Sequence, residues 1–179
     1  MEKAFKYTVI LLACFMATNI FTSCGHDDDI VDYNKTYVKY KLTFGSHFQA
    51  FYDITVTYCD MDGNEYTEDV PRTEIDPQSL RATWSYKDEK DGNHDIAFGF
   101  KAVAKLKDMP VSFDNTANRT FDLSHSAAVS WYNKTTGAKV YAPTKWTIDP
   151  LKLDTAQLRT YLNQHPVIEI ATYPEKLDE

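Results

Sequence analysis

Alternation with a period of two is the constraint that most narrows the folds open to this chain. Val38, Tyr40, Leu42 and Phe44 fall on one side of an extended segment, with Lys39, Lys41 and Thr43 on the other. Phe48, Ala50, Tyr52, Ile54, Val56 and Tyr58 repeat the pattern against Asp53, Thr55 and Thr57. Successive side chains of a strand project to opposite faces, so such runs predict half-buried strands, not helices. Gly45-Ser46 is the turn between them. Asp62-Gly63 within residues 60–64 then signals a hairpin, and residues 65–70 are expected to return antiparallel.

The same reading continues along the chain. Residues 71–78, with two prolines, form a connector, and Leu80, Ala82, Trp84 and Tyr86 make the next alternating set. The polar run 87–93 reads as a solvated turn. Ile96, Phe98, Phe100, Ala102, Ala104 and Leu106 predict the longest strand, with Gly99 as a candidate bulge. Residues 111–113 suggest a short edge piece. Residues 119–123, 127–132 and 139–142 read as strands, and 144–148 is ambiguous. Asp154 or Thr155 caps a helix over 155–164, with Leu158, Tyr161 and Leu162 as its apolar face and Pro166 beyond its end. Residues 167–173 are a last strand and 174–179 a polar tail. Seven to nine short strands at hairpin spacing with one short C-terminal helix predict an all-β fold, an antiparallel β-sandwich of immunoglobulin-like architecture. The Cys…Trp…Cys pattern of antibody domains is absent.

Ahead of the strands, residues 1–23 have the form of a secretory leader: Lys3 and Lys6, then an apolar run over residues 7–17 broken at Thr18 and Asn19. That run falls short of the roughly 20 residues a membrane-spanning helix needs. The chain then divides into a leader (1–23), an acidic tether (24–33) and one sandwich domain (34–179). Phe21-Thr22-Ser23-Cys24 resembles a bacterial lipobox, and Cys24-Gly25-His26 followed by Asp27, Asp28 and Asp29 resembles the export signal of surface lipoproteins of Bacteroidetes-type bacteria. Leu11-Leu12-Ala13-Cys14 is a rival match, but it leaves a very short apolar run and an apolar mature end. The resemblance implies acylation of Cys24, palmitate included, and anchorage at the outer face of the outer membrane. Each buried CH₂ contributes about 0.8 kcal/mol, so several acyl chains hold firmly where one binds reversibly. Residues 51–58 with 62–65 are also similar to the opening hairpin of small Bacteroides-type β-sandwich lipoproteins, a group with no shared activity to carry over.

The net charge of −7 argues against nucleic acid or anionic lipid as a partner, since both are held by Lys/Arg clusters. Of three cysteines, Cys14 would leave with the leader and Cys24 would be acylated. Cys59 then stands alone, and it reads as a small core residue with nothing nearby to lower its pKa. Asp60, Asp62 and Asn64 have half the spacing of a calcium loop, yet a hairpin turn explains them. His26, His47, His94, His125 and His165 are scattered, with no HExxH or CxxC spacing, so neither a metal nor another cofactor is expected. No serine-nucleophile elbow occurs.

The aromatic residues carry the best functional signal. Trp131 and Tyr132 are adjacent on one strand and must face opposite ways, so one of them lies outside the core. With Trp146 they are candidate contacts for a glycan or a protein partner, out of an aromatic group that also holds Trp84, Tyr86 and Tyr141 and from which Trp84 and one of the pair are expected to fill the core. The sequons at Asn34, Asn118 and Asn133 read as turn chemistry, and Asp154-Thr155-Ala156 resembles a Bacteroidetes O-glycosylation motif at Thr155. The sequence therefore predicts a membrane-anchored, non-catalytic binding or assembly protein. The alternative is an accessory component of a nutrient-uptake or hydrolytic surface complex with a weak enzymatic site.

Overall fold

The computed structural model describes residues 32–108, 120–142 and 152–174. The leader, Cys24, Asp27, Asp28, Asp29, the edge piece at 111–113, the ambiguous segment at 144–148, Trp146 and nearly all of the tether lie outside the described residues.

Among the described residues, eight strands build two antiparallel sheets. The first has the order β4 (Arg81–Asp91), β1 (Lys35–Gly45), β7 (His125–Asn133), β8 (Gly137–Tyr141). The second has the order β10 (Val167–Tyr173), β5 (Phe100–Leu106), β2 (Tyr52–Cys59), β3 (Glu65–Asp69). Ring contacts join the two inner faces: Trp84 to Tyr58 at 5.7 Å, Tyr40 to Phe100 at 5.0 Å and Tyr141 to Tyr173 at 4.4 Å. The result is the all-β sandwich that the alternation calls for. The strand expected at 119–123 is present as β6 (Phe121–Asp122), while its partner β9 (Lys152–Leu153) and a single helical turn, α1 (Phe48–Phe51), were not expected.

That turn corrects the second strand. Phe48 and Phe51 are both buried while Ala50 is exposed, a spacing that one helical turn satisfies and a strand cannot. Extended structure begins only at Tyr52. The polar run 87–91 is also corrected, because it continues β4 and pairs residue by residue with Lys35–Lys39. It is charged because β4 is an edge of its sheet, where Lys and Glu discourage pairing with another chain. Lys35 and Lys87 hold Glu89 at 2.6 and 2.9 Å.

The longest expected strand is shorter than alternation suggests. Residues 96–99 leave the ladder and β5 starts at Phe100. Gly99 sits there because its backbone passes Cys59, whose Sγ would stand 2.7 Å from an added Cβ. The register irregularity falls instead in β10, between Glu169 and Ala171. The C-terminal helix α2 (Thr155–Gln164) has the predicted bounds, with Asp154 as its N-cap.

The core is a stack of rings and branched aliphatics. Val38, Tyr40, Leu42 and Phe44 of β1 meet Ile54, Val56, Tyr58, Phe100, Ala102 and Ala104 of the facing sheet, and Leu158 and Leu162 of α2 join the same cluster. Burying each large apolar side chain contributes about 1.5–3 kcal/mol. Buried hydroxyls have partners: Tyr40 donates to the Cys59 carbonyl at 2.8 Å, and Tyr52 to the His165 carbonyl at 2.8 Å.

Candidate functional site

Strand direction gives the sandwich two ends. At one, the chain enters at Asp32 and meets the turns at 60–64, 92–95 and 134–136. At the other lie α1, the connector after Val70, and Lys107, which follows β5.

The predicted aromatic pair belongs to the entry half. Trp131 points inward, half-buried against Phe98 (4.8 Å) and Tyr173 (6.0 Å), with Tyr141 closing on Tyr173. Tyr132 points outward as alternation requires, yet it is only 5% exposed. Tyr33 covers it edge-on at 5.5 Å, and Tyr37 stacks beside it at 6.3 Å. Tyr33, 71% exposed, is the ring that solvent reaches. Outward and accessible are thus separated here by one residue of the entering segment.

That segment is tied down by its own backbone. The Asp32 carbonyl accepts from Lys35 N–H at 2.9 Å, Asp32 Oδ1 accepts from Asn34 N–H, and the Asn34 carbonyl accepts from Gly92 N–H at 2.6 Å. Two sequon residues do the same work. Thr36 Oγ donates to the Gly92 carbonyl and accepts from His94 N–H. Asn133 binds the His94 carbonyl and caps Thr135 N–H.

The calcium-like spacing resolves into a turn. The Asp60 carboxylate accepts from Asp62 N–H, from Asn64 N–H and Nδ2, and from the Tyr66 hydroxyl. These donors hold its carboxyl below the usual range, led by the Asn64 side chain. Gly63, at φ +85°, supplies the left-handed turn residue. Among the described residues no three His, Cys, Asp or Glu converge on a metal position. Cys59 has its thiol pushed up by burial and then by Glu65 and Asp60, the reverse of an activated nucleophile. Thr155 opens α2, directly after its cap.

A cleft that sequence reasoning missed opens at the end opposite the entering chain. It encloses about 390 Å³ between Gln49, Asp53, Val70, Arg72 and Lys107, with the buried Tyr52 ring and Ala50 completing the wall. Gln49 of α1 clamps the connector from both sides of its amide, donating to the Pro71 carbonyl at 2.8 Å and accepting from Thr73 N–H at 2.9 Å. Val70 N–H donates to the Ile54 carbonyl at 2.8 Å. Arg72 lies between these fixed points. Lys107 Nζ stands 3.2 Å from Asp53 Oδ1 and donates to the Gln49 carbonyl at 2.9 Å. Arg72 has no ion-pair partner among the described residues.

No protein-family model matches this chain, and neither does any curated protein or solved structure.

The cleft carries two cations against one carboxylate, in a chain whose balance is acidic. Its described lining offers charge and hydrogen-bonding groups for recognition. Among the described residues no helix is long and apolar enough to cross a membrane.

Proposed function

We propose that this chain is a lipid-anchored cell-surface protein, acylated at Cys24, whose sandwich has a non-catalytic binding or assembly role. The observation that carries the binding role is the polarity of the domain. The chain enters through a clamped segment at one end, and a formed cleft opens at the other. A domain held by its entering segment displays its far end, which suits a receptor for a glycan or a surface partner. The lipobox-like Phe21-Thr22-Ser23-Cys24 and the Asp27-Asp28-Asp29 run support the address, the outer face of a bacterial outer membrane.

The immunoglobulin-like form of the sandwich belongs to this proposal. In that architecture one sheet holds strands A-B-E-D and the other C-F-G. Reading β1 as B, β4 as E, β2 as C, β5 as F and β10 as G reproduces the pairings β1–β4, β2–β5 and β5–β10. The hairpin β7–β8 then takes the place beside β1 that strand A would hold.

Radiolabelled palmitate tests the anchor. Wild-type cells incorporate label into the protein and Cys24→Ser cells do not. Label retained by the variant refutes acylation at Cys24.

A further inference from the structure

From the donors and acceptors left over at the distal cleft, we infer that it binds a hydroxy-carboxylate, a ligand with a carboxylate and a nearby hydroxyl. The inference rests on the proposed binding role and names its ligand class. The guanidinium of Arg72 has five N–H donors in a planar fork that matches a carboxylate in a bidentate arrangement. None of them is engaged in an ion pair among the described residues, and the flanking backbone is fixed by the Gln49 clamp and the Val70 bond. Lys107 has three N–H donors; the Gln49 carbonyl accepts from one, and Asp53 stands at ion-pair distance, 3.2 Å, from Nζ. At least one remains for the ligand. Gln49 has nothing to offer, because both ends of its amide hold the connector.

Asp53 is the acceptor. Its Oδ1 faces Lys107, while its other oxygen has no partner among the described residues, and its side chain is 73% exposed. A bare carboxylate would satisfy the cations and leave Asp53 repelling it. A ligand that also donates a hydroxyl uses Asp53 as an acceptor, and a neutral polyol leaves the Arg72 fork unmatched. The volume of about 390 Å³ is in the range of small-molecule clefts, roughly 300–1,000 Å³, and admits a ring-sized ligand.

Two sources share this chemistry: a small hydroxy acid and a sugar acid. The test is isothermal titration of the full-length protein in detergent with D-glucuronate, L-lactate, acetate and D-glucose, each at constant ionic strength. Saturable heat with glucuronate or lactate is expected, with acetate and glucose at least tenfold weaker. Glucuronate stronger than lactate assigns the sugar acid; the reverse assigns the small acid. Arg72→Gln, a surface change with unaltered melting, is expected to weaken binding at least tenfold, and Arg72→Lys to weaken it less. No heat with either hydroxy acid, acetate or glucose binding equally well, or unchanged binding by Arg72→Gln would each overturn the inference. Palmitate incorporation at Cys24 is read separately, so this ligand class can fail while the anchor stands.

Discussion

Gly45 has no room for a side chain. An added Cβ would stand 2.7 Å from the Asp122 carbonyl oxygen and would also meet Asp122 Oδ1, and the Gly45 N–H is bonded to the Ser124 carbonyl at 2.7 Å. Backbone on both sides cannot give way cheaply, so Gly45→Ala is expected to cost about 1–3 kcal/mol, measured by denaturant unfolding. An unchanged midpoint would mean that this corner has room for a methyl group. Tyr40 makes a different kind of contact at the same scale. Its hydroxyl donates to the Cys59 carbonyl and accepts from Gly99 N–H at 3.4 Å, and burial pushes its pKa up to about 12. Tyr40→Phe leaves that carbonyl short of a donor and is expected to cost about 1 kcal/mol.

Acid sensitivity also belongs to single residues. Lys35 first, then Lys87, hold the Glu89 carboxyl down at about 2. An unfolded glutamate titrates near ~4.3. The folded pKa is depressed, so the contribution is present above the unfolded value and lost as pH falls through the folded one. Unfolding midpoints followed from neutral pH to 2 should therefore decline less steeply below about 4.3 in Glu89→Gln than in the wild type. Parallel curves would show that the pair is fully screened by solvent.

Among the elements, α2 combines a strong local signal with tertiary support. The Asp154 side chain accepts from Gln157 N–H at 2.8 Å while Gln157 Oε1 accepts from Asp154 N–H at 3.0 Å, a reciprocal capping box. Leu158 and Leu162 are buried one turn apart. Asp154→Ala should cost about 0.5–2 kcal/mol, with faster amide exchange in the first turn of α2 than in β1. The bounds of this helix were legible because periodicity and Pro166 agree, while the sequence left its cap open between Asp154 and Thr155. Strand β1 was legible because one face is core and the other solvent. Where two readings share a buried residue, the sequence misleads. The run from Phe48 to Tyr58 hides a helical turn, since Phe48 is inward in a strand as well as in a turn. The charged half of β4 looked like a loop because an edge strand needs no apolar face.

At the scale of the molecule, the aromatic reading was half legible. Alternation separates Trp131 from Tyr132, but no local signal says that Tyr33, from the entering segment, roofs Tyr132. The cleft was not legible at all. Gln49, Asp53, Arg72 and Lys107 come from a helical turn, a strand, a connector and a strand end, and each alone is an ordinary surface residue. Only the packing of α1 against the connector makes them one wall. The proposed anchor rests on a local motif alone, Phe21 to Asp29. Both proposals meet in one arrangement, a sandwich attached by its entering segment with its binding cleft displayed at the far end.

The most direct measurement of that arrangement is protease accessibility on intact cells, with wild type and Cys24→Ser side by side. An impermeant protease is expected to remove the wild-type sandwich from intact cells while a periplasmic control survives, and the Cys24→Ser variant is expected to be absent from the cell surface. A wild-type domain that stays protected until the outer membrane is opened would contradict it.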